Sequence, residues 1–358
     1  MARCQIMLLA AAIVLFAFAA SPASAELIDG PGTYYGFDLP EPFYNYWNYT
    51  SDIKDMSAAM AKNDFVDAAD IWNNGRNGRR SETVMRTWLA GATADRTGEA
   101  WFEMYRSFFK SIEYLKDLTY PPLNGEGAFA GACCGERAGA VEIYNRLWLV
   151  MYAQHEVDAG VRDSAADEAT HGFAVVASPV DQAFNYWEWI EGYSTKACLR
   201  KRRDRVTKNF YAATNIAYRD GFSAMFDALN VEMPPPDASA IDAAQKALAD
   251  QVMVQFMTVM LVEARLTVYS PPSSANACNA ACLRPSHKAA VDAAWKALGP
   301  LVHRSSDKAS IAAVDRLLAT TPGKKWLARK QALLKTHLAR IAASFDINFK
   351  KDVYNCRI

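Results

Sequence analysis

The sequence contains no G-x-S-x-G elbow, no H-E-x-x-H helix, no C-x-x-C pair and no glycine-rich loop closed by Lys-Ser or Lys-Thr. Those absences remove the recognisable serine hydrolases, zinc peptidases, thioredoxin-like centres and phosphate-binding loops. Histidine is scarce, with five in 358 residues scattered at His155, His171, His287, His303 and His337, so no nucleophile can be matched with its base. An excess of one charge is missing as well, since 39 Lys and Arg face 39 Asp and Glu. A general nucleic-acid binder is thereby excluded. Beyond the first 25 residues no uninterrupted apolar run is long enough to span a bilayer. The nearest, VMVQFMTVMLVEARLTV, is broken by Gln255, Glu263 and Arg265.

What is present begins with an export address. MARCQIMLLAAAIVLFAFAASPASA has a short basic head at Arg3, an apolar stretch from Ile6 to Ala20 and small residues at Ala23 and Ala25. It is expected to be a signal peptide, residues 1–25, cut after Ala25. The mature chain, 26–358, then has 38 basic and 39 acidic side chains because Arg3 is removed, a net of −1. It is expected to be soluble and extracytoplasmic.

Cys4 leaves with the signal, and six cysteines remain: Cys133, Cys134, Cys198, Cys278, Cys282 and Cys356. In an exported chain an even number predicts disulfides, with fifteen pairings open. A zinc site on CNAAC, Cys278 to Cys282, is the rival, but no second cysteine pair or adjacent histidine pair completes four ligands. Asn48-Tyr49-Thr50 is a glycosylation sequon, usable where the host glycosylates and the segment is exposed.

The periodicity is helical. Residues 26–51, rich in Gly, Pro and Tyr, are expected to be an irregular aromatic arm. From Asp52, a 3.6-residue spacing through Met56, Met60, Phe65, Ala68 and Trp72 predicts helix up to Gly75. TGEAWFEMYRSFFKSIEYLKDL predicts one helix with Trp101, Tyr105, Phe108, Ile112 and Leu115 on its core face. GEGAFAGACCGERAGA predicts a disulfide-pinned connection. Further helices are expected from Ala140, from Ser178, over 197–229, 240–269, 286–303, 307–320 and 322–345, with FAVVAS as a lone short strand. MPPPDAS is a stiff linker. The fold class is all-α, a disulfide-stapled multi-helix bundle of one or two lobes. Its expected domains are the signal at 1–25, a main lobe at 26–236 and a C-terminal lobe at 237–358.

Chemistry is best sought in oxygen donors. A hard cation such as Fe(III) prefers carboxylates and phenolates, with an imidazole in support. In FNYWEWIEGYST, Glu188 and Glu191 share one helix face and Tyr193 follows the Gly192 break. On the preceding helix Tyr152, His155 and Glu156 add donors. Glu263, alone among Met260, Leu261, Val262 and Leu266, must be exposed, paired or liganded. Arg200 and Arg203 of CLRKRRDR could hold an anion such as carbonate. Each residue also has a plainer role. Glu188 and Glu191 suit the solvated stripe of an amphipathic helix, Glu263 could pair with Arg265 or another base, and Tyr152 has core spacing.

DAADIWNNGRN, EIYNRLWLVMYAQHEVDAG and NYWEWIEGYST, on a signal-bearing, cysteine-stapled helical chain, resemble the Fe-assimilating proteins of green algae. These are also described as high-carbon-dioxide-inducible periplasmic proteins and grouped with the phytotransferrins. The resemblance implies a non-enzymatic protein of the periplasmic space or cell wall. It would take up iron as Fe(III) with synergistic carbonate and pass it to a membrane-bound uptake system. It carries no ligand motif, so the candidate ligands rest on their chemistry. An exported helical enzyme and an extracellular interaction protein are the alternatives. Imelysin-type proteins are disfavoured because their G-x-H-x-x-E signature is absent.

Overall fold

The computed structural model describes residues 33–34, 37–38, 44–77, 98–166, 238–269, 282–319 and 327–353. The chain divides into two compact units, Met1–Glu41 and Pro42–Ile358. In the first, β1 (Thr33–Tyr34) and β2 (Phe37–Asp38) pair antiparallel, Thr33 opposite Asp38 and Tyr34 opposite Phe37. Two residues per strand are too few to make a stable sheet.

The second unit is helical. Its α-helices are α1 (Tyr44–Ala61), α2 (Phe65–Asn74), α3 (Ala100–Phe109), α4 (Tyr114–Asn124) and α5 (Cys134–Ala166). They continue with α6 (Ala238–Tyr269), α7 (Leu283–Val302), α8 (Lys308–Leu318) and α9 (Leu327–Ala343). A short 3-10 turn covers Gly127–Phe129 and a π-turn Phe349–Val353.

Several expected boundaries move. The helix expected from Asp52 to Gly75 is two, α1 and α2, broken at residues 62–64 where Asn63 takes φ 64°, and the helix expected from Ala140 already starts at Cys134, so the second half of GEGAFAGACCGERAGA is helical rather than a connection. α1 starts at Tyr44, so the last residues of the expected arm are helical and Asn48 lies within a helix rather than a loop. The single helix expected over 97–118 is two, α3 and α4, because Lys110 takes the left-handed conformation at φ 55° and ends the first. Trp101, Tyr105 and Leu115 are buried as expected, but Phe108 and Ile112, flanking the break, are 37% and 47% exposed. α4 then runs through Pro121 and Pro122 to Asn124. Prolines so near a C-terminus leave carbonyls in want of donors. Arg137 of α5 supplies them, donating from Nε to Pro122 O at 2.8 Å and from its terminal nitrogen to Leu123 O at 2.6 Å.

DAADIWNNGRN carries α2 into a turn locked onto α1. Gly75, at φ 66°, ends α2 and turns the chain back. Its backbone then brings Arg76 N and Asn77 N to Asp52 Oδ1, at 3.2 and 2.7 Å, and the Asn77 side-chain amide donates to the same oxygen at 2.8 Å. Asp52 is buried, and those donors are what make its burial tolerable.

α7 lies between α5 and α6 and packs most extensively against both. α5 and α7 run parallel in register. Cys133 is bonded to Cys282, a Cβ on Gly139 would lie 2.7 Å from Ser286 O, and the Tyr144 phenol feels the Asp292 carboxylate. α6 runs antiparallel to α7. Glu263 meets His287 near the start of α7, and Asp250 feels Asp346, whose neighbour Ser344 bonds Ser305 beyond the end of α7. Residues 252–260 of α6 are all buried, which explains why that segment resembles a membrane span in composition. No helix among the described residues is long and apolar enough to cross a membrane.

The disulfide expectation holds for Cys133 and Cys282, 149 residues apart with Cα atoms 6.2 Å apart. Cys134 is disulfide-bonded too. While that bond is intact, Cys282 cannot serve the zinc site considered on CNAAC. Cys198, Cys278 and Cys356, the signal peptide, the FAVVAS strand, the helices expected at 178 and 197–229, and the lobe boundary at 236 lie outside the described residues.

Candidate metal centre

Glu263 is the one sequence-nominated ligand whose side chain is described, and it is half-buried and paired. It reaches across to α7, where Oε2 lies 2.5 Å from His287 Nδ1. The side chains are 18% and 15% exposed, so the contact is mostly sheltered but reachable by water and small ions. With Glu263 as carboxylate, Nδ1 carries the proton, because a carboxylate only accepts. The helices bring the pair together for apolar reasons. Val259, Met260 and Val262 of α6 and Ala290, Val291 and Ala294 of α7 are buried in the core these two helices share. His287 was hidden in the sequence among scattered histidines, 24 residues from its partner with no local motif.

Next to His287 on α7, Lys288 makes a two-pronged ion pair with Asp292 at 2.5 Å and donates to Leu318 O at 2.9 Å. Burial raises the Asp292 carboxyl, and Lys288 partly offsets it. The Tyr144 phenol feels the Asp292 carboxylate of this pair. Burial pushes its phenol well above the ordinary range, and Asp292 adds to the effect, so the ring holds its proton at neutral pH.

Tyr152, His155 and Glu156 lie on α5, and their side chains are outside the described set. In the parallel register of α5 and α7, where Cys133 is level with Cys282, Tyr152 is level with about residue 300 of α7. His287 is 13 residues away from that level, about 20 Å at 1.5 Å per residue. Glu188, Glu191, Tyr193, Arg200 and Arg203 lie outside the described residues.

Among the described residues one group of three potential ligand side chains converges, Cys133, Glu136 and Cys282, with donor atoms within 4.8 Å of one another. Each is engaged. The sulfurs form the disulfide, and Glu136 Oε2 accepts from Cys133 N at 3.0 Å, closing the start of α5 as a capping carboxylate.

These features define an exported-type helical bundle, stapled by disulfides, with a sheltered imidazole–carboxylate contact between two central helices. The model of the Fea1 family, low iron-inducible periplasmic protein, matches residues 11–188, just under half of the chain, consistent with the Fe-assimilating protein family. The description agrees with the resemblance drawn from the sequence and makes this an iron-related protein of the periplasm. Tyr152, His155, Glu156 and Glu188 fall within the matched stretch, whereas Glu191, Tyr193, Glu263 and His287 lie beyond it. No curated protein and no solved structure matches the chain.

Proposed function

We propose that the protein is a non-enzymatic iron-assimilation protein that binds Fe(III) as cargo outside the plasma membrane. The ion would be held by carboxylate and phenolate oxygens, with carbonate completing the charge balance. The observation carrying this reading is the Glu263–His287 contact, in a chain matched by the model of a low iron-inducible periplasmic family. A carboxylate and an imidazole 2.5 Å apart, sheltered yet reachable, supply one hard and one intermediate donor. An entering cation would replace the hydrogen bond between them. Two donors do not complete a ferric shell, and the remaining ones are assigned to Glu188, Glu191 and Tyr193. Arg200 and Arg203 are assigned to the carbonate. Tyr152, His155 and Glu156 are left out of this shell by the 20 Å register argument.

The test loads the protein with Fe(III) and bicarbonate, removes free iron by gel filtration and measures retained iron. Glu263→Gln and His287→Ala are expected to lose most of it with unchanged helical circular dichroism, and Glu191→Ala likewise. A paired Tyr152→Phe, His155→Ala variant should retain it. The reverse pattern would move the site to the Tyr152–Glu156 level at the middle of α5 and refute this assignment.

A further inference from the structure

We propose that the Cys133–Cys282 disulfide masks a second metal site, of different chemistry, which appears when the bond is reduced. Cys133, Glu136 and Cys282 already place three potential ligand atoms within 4.8 Å of one another. Two thiolates and a carboxylate suit a borderline or soft divalent cation such as Zn(II) or Co(II), not the hard ferric ion.

Where the cysteines sit strengthens the case. Cys133 O accepts the amides of Glu136 and Arg137, placing it at the N-terminus of α5, and Cys282 occupies the same position on α7 and accepts from Ser286 N. α5 has 33 residues and α7 has 20, so two full-length helix dipoles present their positive ends to the same pair of sulfurs. That field favours thiolate over thiol. Glu136 acts in the opposite sense, since its carboxylate repels two bare thiolates. The arrangement therefore favours a dithiolate chiefly when a cation joins it, and the carboxylate then becomes the third ligand. The packing of Gly139 against Ser286, one turn inside, holds the two helix ends at this separation without the bond.

The chemistry balances with a dithiol as reductant. The disulfide accepts two electrons and two protons and becomes two thiols, while the dithiol is oxidised to its own disulfide. On binding one divalent cation, the two thiols release those two protons.

The full chain is reduced with a dithiol under anaerobic conditions, freed of reductant and titrated with Co(II), following the thiolate-to-cobalt charge-transfer absorption. The reduced protein should develop the band, and the oxidised protein should not. Glu136→Gln keeps both cysteines and can still cap α5, so its oxidised form should fold normally. Its reduced form should bind Co(II) more weakly, by more than the roughly tenfold typical of losing an outer-shell partner. Cys133→Ser combined with Cys282→Ser should abolish the band. Four results would overturn the proposal: an undiminished band in that double variant, equal binding by the oxidised protein, unchanged affinity in Glu136→Gln, or loss of helical circular dichroism on reduction. Because the ferric reading uses other residues and the oxidised protein, the two proposals fail separately.

Discussion

Gln255 on α6 is 4% exposed, Asn145 and Gln154 on α5 are 1% exposed, and none of their side-chain amide atoms has a hydrogen-bond partner. A buried amide without partners costs roughly 1–3 kcal/mol against an apolar group of the same shape. Gln255→Met should therefore raise stability by about 1 kcal/mol or more, measured as the shift in urea midpoint at unchanged slope. A destabilised variant would mean that Gln255 has a partner in the folded protein. At Asp307, hydrogen bonds from Ser310 hold the carboxyl below the usual carboxylate range. A folded value below the unfolded one adds stability that is fully present above the unfolded value and lost as pH falls through the folded one. Urea titrations below about pH 4 should show the parent losing ground relative to Asp307→Asn, which caps α8 without titrating. Equal acid sensitivity would contradict the cap.

At the scale of elements, two glycines of the central helices invite contrasting substitutions. A Cβ at Gly139 would lie 2.7 Å from the Ser286 backbone oxygen, so Gly139→Ala must push α5 and α7 apart. At Gly299 the obstacle, also at 2.7 Å, is the Phe108 ring, which is partly exposed and free to swing. Alanine gains roughly 1 kcal/mol of helix propensity over glycine in either place. Gly139→Ala should nonetheless be destabilising by about 1–3 kcal/mol and Gly299→Ala near neutral. Thermal melts of the two variants compare them directly, and equal effects would refute the rigid α5–α7 contact.

The helices themselves were largely legible from period and caps. Ala238–Tyr269 and Leu283–Val302 fall within three residues of their expected ends, because long apolar-rich segments leave little choice. The break at Lys110 was not legible, since a lysine at positive φ bears no mark in the sequence. The start of α1 at Tyr44 was masked by Gly and Pro just upstream, which weighted the whole segment toward irregular structure.

In the unit Pro42–Ile358, the parallel register of α5 with α7 and the antiparallel run of α6 decide which residues can cooperate. Glu263 stood out in the sequence because a lone carboxylate in an apolar run needs a partner. Its partner did not, because only tertiary packing brings His287 to it. In the same register Tyr152 lies about 20 Å along the helices from the level of His287, which is why the proposed shell leaves Tyr152, His155 and Glu156 out. The family match supports iron and the periplasm, while the proposed ligands rest on donor chemistry and helix register.

The central claim is that ferric iron binds at the Glu263–His287 end of the bundle. Its most direct measurement is iron K-edge X-ray absorption on protein loaded with Fe(III) and bicarbonate, comparing the parent with His287→Ala. The account predicts an oxygen-rich shell with an imidazole scattering contribution that disappears in the variant. An unchanged spectrum in His287→Ala, or iron lost from the parent on gel filtration, would contradict it.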